Sequence, residues 1–502
     1  MAKDPFDSGG TNSEHSQRLQ GWPLLIAGVL LTSLTGLRWA PPLFAWISPI
    51  PFILYARNSK TLGKTLCLIG ALILAYTIST AKIVTAPISP LMVPLFSFPI
   101  GLVISLCILM AEAIRRKAGE GWGIASFAAL VAISDWVWLS HTAFGDMMTM
   151  GTTLYGDLVF SQFAALAGVP GISLVMAFFQ ASIASMIAAP RRRLSQLLFA
   201  TSIVACGAIF VFGSIRLDSK NTGTETVRVA AIATTVGPGA NGMPSPDAIA
   251  TNDETLFAKT ERAAALGARL VAWNECATLV DPAFESAFVE KGRTVASRLG
   301  IDLVLAYGAY HEGQSLIDNK FVLLTSDGEI AQVYRKHHPV PGEPSIAGAE
   351  PIAAINRPYG RVAGAICYDY DFPHLAAQQG RLGTDIAVVP SSDWEGVNPS
   401  HGLISRMRGI ENGFSILRPT RWAASAVFDQ LGRPRGWMSA SESDQGILVA
   451  DIPRGKIDTP YSALGDRPVL ILSFLTLASA AISFGFQEWK KGHQRKEGTK
   501  NA

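Results

Sequence analysis

Arg361-Val362-Ala363-Gly364-Ala365-Ile366-Cys367-Tyr368-Asp369 reads as one apolar β-strand that ends in a thiol. Its first residues are small or β-branched with little polar alternation, the pattern of a strand covered on both faces. The chain then runs into Phe372-Pro373, and proline has no N–H to give to a ladder. A cysteine at such a strand end emerges at the edge of a sheet, where a nearby base and ammonium group favour the nucleophilic thiolate. The same position also suits an inert, buried thiol, so the surroundings decide.

Outward from this stretch, strand-like runs recur at 226–233, 269–274, 302–309, 320–326, 384–390, 414–420 and 445–451. Helical patterns lie between them at 253–267, 285–299 and 401–412. Strands alternating with helices predict a layered α/β fold for residues 217–466.

The rest of the chain is of another kind. Of 502 residues 49% are hydrophobic and only 16% charged, and the mean hydropathy of +0.28 is too high for an ordinary soluble enzyme. Apolar stretches fall at 22–36, 41–56, 64–85, 91–113, 122–140, 165–189, 195–215 and 468–487. Most reach the ~20 residues needed to cross a hydrocarbon core. The first two are short, with Pro41-Pro42 between them, and suit either two spans or a tight hairpin. The expected organisation is a polar tail at 1–20, a helical membrane domain of about seven spans at 21–216, the α/β domain at 217–466, a final span at 467–488 and a basic tail at 489–502.

A net charge of +3, with basic residues in short clusters beside apolar runs, argues against a broad nucleic-acid-binding face. With eight spans, alternate connections carry Lys3 and Arg18, then Arg57, Lys60 and Lys64, then Arg115, Arg116 and Lys117, then Arg191, Arg192 and Arg193, then the tail with Lys490 and Lys491. The opposite connections carry only Arg38 and Lys82. Basic clusters resist translocation, so both termini are expected in the cytoplasm and the α/β domain outside.

Two further strand ends in that domain carry polar chemistry. Trp273-Asn274-Glu275-Cys276 brings a carboxylate directly off an apolar strand, where partial desolvation suits a general base. Tyr334-Arg335-Lys336-His337-His338-Pro339-Val340-Pro341-Gly342-Glu343 is a basic cluster entering a turn-rich loop. Singly, these also fit a surface carboxylate and a solvated connection. Together with Cys367 they stand in the order Glu275, Lys336, Cys367, at separations of 61 and 31 residues. Cys67, Cys107 and Cys206 fall in apolar spans and read as small buried hydrophobes, leaving Cys276 and Cys367 in the α/β domain, where an oxidising compartment would permit pairing. Neither CxxC nor a His-Cys metal spacing occurs, so no metal site is expected.

The ordered trio is followed by Pro390-Ser391-Ser392-Asp393-Trp394, by His401, by Ser405-Arg406-Met407-Arg408-Gly409-Ile410-Glu411-Asn412-Gly413 and by Asp429-Gln430-Leu431-Gly432-Arg433. Over about 200 residues this resembles the nitrilase, or carbon–nitrogen hydrolase, superfamily, which implies an αββα sandwich with a Glu-Lys-Cys triad. Adding the membrane half, Gln162 through Gly168-Val169-Pro170-Gly171-Ile172-Ser173, and Thr459-Pro460-Tyr461-Ser462-Ala463-Leu464-Gly465-Asp466, nearly the whole chain resembles the apolipoprotein N-acyltransferases.

That resemblance implies an enzyme of the bacterial cytoplasmic (inner) membrane, working without a cofactor. It would move an acyl chain from a phospholipid, typically phosphatidylethanolamine, to the α-amine of a diacylated apolipoprotein's N-terminal cysteine. Glu275 would be the base, Lys336 the oxyanion partner and Cys367 the nucleophile of a ping-pong reaction through a thioester. Glu343, Tyr368, Asp369 and Trp394 match or adjoin family positions around the triad and are candidates for orienting it or lining the acyl channel. The alternative is a membrane-anchored amidohydrolase in which water replaces the amine. The chain departs from the family pattern at Asp369, where glutamate is expected, and at Thr420-Arg421-Trp422-Ala423, where an Asn-Gly turn is expected.

Overall fold

The structure, a computed structural model, describes residues 21–218, 225–237, 242–310, 316–440 and 446–498. The polar tail at 1–20 lies outside them, as do the side chains of the basic tail from Lys490 onward. Among the described residues six helices are long and apolar enough to cross a membrane: Leu62–Ala81, Met92–Ala118, Glu120–His141, Ala164–Ala188, Arg193–Asp218 and Arg467–Trp489. The expected count of eight is reduced at the start of the chain. There the stretches 22–36 and 41–56 fold as three short helices, Trp22–Ser33, Pro42–Ile47 and Ile50–Arg57. Even the 12-residue first helix reaches only about 18 Å, against ~30 Å of hydrocarbon. Prolines divide this region, because a fixed φ and a missing N–H suit a helix's first turn and no other: Pro41 and Pro42 open the second helix, Pro49 and Pro51 the third.

The α/β part contains strands β1 (Thr226–Ile232), β2 (Leu270–Trp273), β3 (Leu279–Val280), β4 (Asp302–Ala309), β5 (Asp318–Leu324), β6 (Ile330–Arg335), β7 (Ile355–Arg357), β8 (Gly360–Gly364), β9 (Ile386–Val388), β10 (Ser391–Ser392), β11 (Ser415–Arg418), β12 (Thr420–Arg421), β13 (Ser425–Phe428), β14 (Pro434–Met438) and β15 (Leu448–Pro453). One sheet runs β15-β1-β2-β4-β5-β6, with β3 beside β4; the other runs β14-β13-β11-β9-β8-β7. β10 and β12 form a separate parallel pair. The two sheets share one core that holds Val229, Val271, Leu303 and Phe321 from the first with Val362, Ala387, Ile416 and Val427 from the second. Helices Pro246–Ala265 and Glu285–Leu299 cover the first sheet and Ser400–Asn412 the second, giving the αββα order of layers. The small residues of β8 have a spatial cause: a Cβ on Gly364 would stand 2.5 Å from the Phe321 ring on the facing sheet.

The α/β part is tied to the membrane helices by buried polar contacts. Arg408 on helix Ser400–Asn412 donates to Asp146 at 2.6 Å, both side chains wholly buried. Helix Ala164–Ala188 breaks its regular backbone at Gly168, where φ is +64, and the adjacent Val169 N–H donates to Glu411 at 3.2 Å. Gln162 donates to the Leu431 carbonyl at 2.9 Å. The stretches 162–173 and 459–466 also meet: a Cβ on Gly168 would collide with the Tyr461 ring.

Candidate active site

Every polar group of interest sits just past the carboxyl end of a strand, the edge at which layered α/β sheets bind ligands. Glu275 follows β2, Lys336 follows β6, and Cys367 lies three residues beyond β8. Glu275 and Lys336 line a cavity of about 650 Å³ together with Glu343, Ser392, Asp393, Trp394, Arg421 and Trp422, and Cys367 lies against that wall, its Sγ 3.8 Å from Asp393 Oδ1. Its other wall comes from Pro87, Ile88, Ser89 and Met92, where the chain enters membrane helix Met92–Ala118. Pockets for drug-sized ligands are usually ~300–1,000 Å³, and this one falls within that range.

Lys336 is the hub. Its Nζ donates to Glu275 Oε1 at 2.8 Å and to Glu343 Oε2 at 2.6 Å, and it is only 1% exposed. Burial opposes its charge, but the two carboxylates outweigh burial and hold the ammonium well above its ordinary pKa. Burial likewise works against ionised Glu343, and Lys336 outweighs it, keeping that carboxyl below its ordinary value. Asn319, which sequence reasoning missed, completes the group: its Nδ2 donates to Glu275 at 2.7 Å and to Glu343 at 3.2 Å. Asn319 lies near the start of β5, one residue before the strand-like run read at 320–326, so it fell outside that reading.

Cys367 opens a short 3-10 turn and adopts φ +50, a left-handed conformation rare for a side-chain-bearing residue and found where structure over-determines it. Its N–H donates to the Pro390 carbonyl at 2.9 Å, and its Sγ lies 3.8 Å from both Ser392 O and Asp393 Oδ1. Burial first, and the Glu275 carboxylate next, push the thiol up to about 11, against the pull of His401 and Lys336. Near neutral pH the Cys367 side chain therefore rests as a thiol. Alkylation by iodoacetamide is expected to accelerate about tenfold per pH unit between pH 7 and 10, because only the thiolate reacts. Glu275→Gln removes a negative neighbour, lowers the thiol pKa and should speed that alkylation at pH 8; a rate independent of pH above 7 would show a preformed thiolate instead.

Behind Cys367 stands an ionic cluster that sequence reasoning did not assign. His401 bridges Asp393 Oδ1 and Asp371 Oδ1 at 2.7 Å each, and Arg418 donates to Asp393 at 2.9 and 3.0 Å. Burial disfavours charge on His401, yet the two carboxylates outweigh it and keep the ring cationic well above its usual range. Cys367, Asp393 and His401 offer donor atoms within 4.8 Å of one another, a spacing that suits a metal ion. Here Arg418 and the imidazolium already neutralise the carboxylate that such an ion would use.

The remaining expected residues divide. Glu343 joins the Lys336 group and Trp394 lines the cavity, its indole N–H donating to the Ile83 carbonyl. Tyr368 is wholly buried and donates to the Ala143 carbonyl at 3.0 Å, between membrane helices. Asp369 accepts from Tyr334 at 2.9 Å, the His338 N–H at 2.7 Å and the Ile366 N–H at 3.0 Å, which fixes the turn that carries the thiol. Cys276 and Cys367 are both free thiols, and burial pushes Cys276 up to about 12.

Residues 238–459 match the carbon–nitrogen hydrolase family. The apolipoprotein N-acyltransferase of Shewanella oneidensis is 24% identical, the match spanning 92% of this chain and 95% of that one. Along nearly its whole length the chain is similar to the apolipoprotein N-acyltransferases. The member from Bradyrhizobium diazoefficiens is 25% identical over 71% of this chain and 73% of its own. The deaminated glutathione amidase of Rattus norvegicus is 31% identical, but over only 30% of this chain and 53% of its own. Likeness to the family therefore runs through both halves of the chain, whereas likeness to the amidase is partial. With six apolar helices among its described residues and such relatives, this chain is a bacterial membrane protein.

Proposed function

We propose that this chain transfers an acyl group from a phospholipid, through a thioester on Cys367, to the N-terminal α-amine of a diacylated apolipoprotein. The observation that carries this reading is the composite cavity, with Glu275 and Lys336 on one side and the entrance to a membrane helix on the other. Both substrates are lipids, and a site beside helix ends receives them by lateral diffusion with their reactive groups already near the interface.

Glu275 takes the Cys367 proton as sulfur attacks the ester carbonyl of the donor. The oxyanion of the tetrahedral intermediate is met by Lys336 and by main-chain N–H. Cys367's own N–H is engaged by Pro390, which favours the Tyr368 N–H as that donor. Collapse expels the lysophospholipid alkoxide, which recovers the proton from Glu275, and leaves the thioester. The apolipoprotein amine then attacks the same carbonyl, giving its proton to Glu275, and Glu275 returns it to the departing Cys367 sulfur. Asn319 and Glu343 hold Glu275 and Lys336 in register throughout. In keeping with the distribution of lysine and arginine, the α/β part faces the outside of the inner membrane and both termini the cytoplasm.

The test is intact-protein mass spectrometry in detergent with phosphatidylethanolamine. An acyl-sized adduct is expected, discharged by a diacylated lipopeptide bearing a free amine to give a triacylated product. Discharge by water alone would assign the chain to hydrolysis.

A further inference from the structure

Resting on that reading, we propose that Arg421 forms a seat for the donor's phosphodiester, so that the first half-reaction selects phospholipids over neutral acylglycerols. Arg421 lies on β12, paired in register with Ser392 of β10, and is 4% exposed. Its Nε donates to Ser392 Oγ at 3.0 Å, and its Nη1 to the carbonyls of Cys276 and Val236 at 3.2 and 3.3 Å. All three partners are neutral, and among the described residues no carboxylate lies within ion-pair distance of the guanidinium.

The other cation of the cavity wall, Lys336, is held by both Glu275 and Glu343. Asp393, also on the wall, is held by Arg418 and His401. Glu275 and Glu343 exert a longer-range pull on Arg421 but touch Lys336. Arg421 is thus a buried cation whose partner has to come from a ligand, since burying an unpaired charge costs several kcal/mol. Nε and Nη1 are taken by the neutral acceptors of Ser392, Cys276 and Val236, which leaves Nη2 to donate to a phosphate oxygen in a charge-assisted hydrogen bond.

The surroundings are shaped around this side chain. A Cβ on Gly237 would fall 1.5 Å from Arg421 Nη1, so any larger residue there would displace the guanidinium from this position. Trp422 lies beneath the guanidinium, its ring centre 4.4 Å from Cζ, and takes φ +61, a strained value for a bulky residue. The thioether-linked diacylglyceryl group and amine of the acceptor carry no phosphate. Arg421 therefore serves loading of the thioester and not its discharge.

The experiment compares thioester formation from phosphatidylethanolamine with that from the diacylglycerol of the same chains, for the native protein, Arg421→Gln and Arg421→Lys. The expected result for Arg421→Gln is a tenfold or greater loss with the phospholipid, a change under twofold with diacylglycerol, and partial retention in Arg421→Lys. An equal loss with both donors, or none with either, overturns the proposal. A native protein that forms no thioester from any donor removes the acyl-transfer reading itself, and this inference with it. Binding provides a second readout without chemistry: a dialkyl-ether phosphatidylethanolamine should raise the native Tm more than the corresponding dialkylglycerol does. That difference should vanish in Arg421→Gln, and its persistence overturns the phosphate seat.

Discussion

Cys367→Ala is expected to lower acyl transfer by about 10⁴–10⁶-fold and to remove the acyl adduct, as when a nucleophile that acts as a unit with its base is deleted. The protein itself should remain folded. The substitution deletes one sulfur from a turn fixed by Asp369 and by the Cys367 N–H bond to Pro390, neither of which involves the thiol. A melting temperature within a few degrees of native would verify that. The sharpest control is Cys276, which is buried, holds its proton up to about 12, and has its carbonyl engaged by Arg421. An adduct persisting on Cys367→Ala and mapping to Cys276 would assign the nucleophile to the wrong strand end. Cys276→Ala is expected to keep most of the activity.

Lys336→Met should be costly twice over. Loss of one donor to the oxyanion is worth about 10²–10³-fold in turnover. The change also leaves Glu275 and Glu343, both now bound to one ammonium, as neighbouring buried carboxylates. Like charges at close range raise one another's pKa, so one of the pair takes up a proton near neutral pH and the base is lost. Breaking a buried ion pair by removing one partner typically costs about 3–5 kcal/mol of stability. Lys336→Met/Glu343→Gln should recover much of the stability and little of the turnover. Thermal melting and single-turnover acylation read the two separately; recovery of both would make Lys336 a purely structural group.

The chemistry-bearing strand ends were legible because apolar runs that stop abruptly at Glu275 and Cys367 have few bland explanations in combination. Lys336 was legible as well, yet β6, which carries it, was not. Its sequence Ile-Ala-Gln-Val-Tyr-Arg is an edge strand whose alternation is inverted, with Ile330 and Val333 exposed and Gln332 buried, and the basic cluster following it dominates the reading. The strands β13 and β14 were also missed, one for its brevity and one for a Pro-Arg-Gly-Trp-Met composition that only an exposed edge tolerates. The His401 cluster depends on residues from three separate segments, 371, 393 and 401–418, brought together by the packing of helix Ser400–Asn412. No local pattern encodes such a meeting. The stretches before residue 60 stayed open between two spans and a hairpin for the opposite reason: hydropathy there is ample, and the prolines set the length.

The contacts of Tyr368 and Trp394 imply that the reaction is sensitive to the mechanics of the bilayer. Tyr368, the residue after Cys367, hangs from Ala143, and Trp394, the residue after Asp393, from Ile83, with Gly396 N–H fastened to Thr85 at 2.9 Å. Each anchor lies in a segment joining two membrane helices, Ile83 and Thr85 between Leu62–Ala81 and Met92–Ala118, and Ala143 between Glu120–His141 and Ala164–Ala188. When lipid thickness changes the tilt of those helices, the displacement reaches the thiol and its ionic cluster through one or two residues of main chain. Acyl transfer in vesicles of graded chain length should therefore show an optimum thickness, set by the protein's own girth rather than by the length of the acyl chain it transfers.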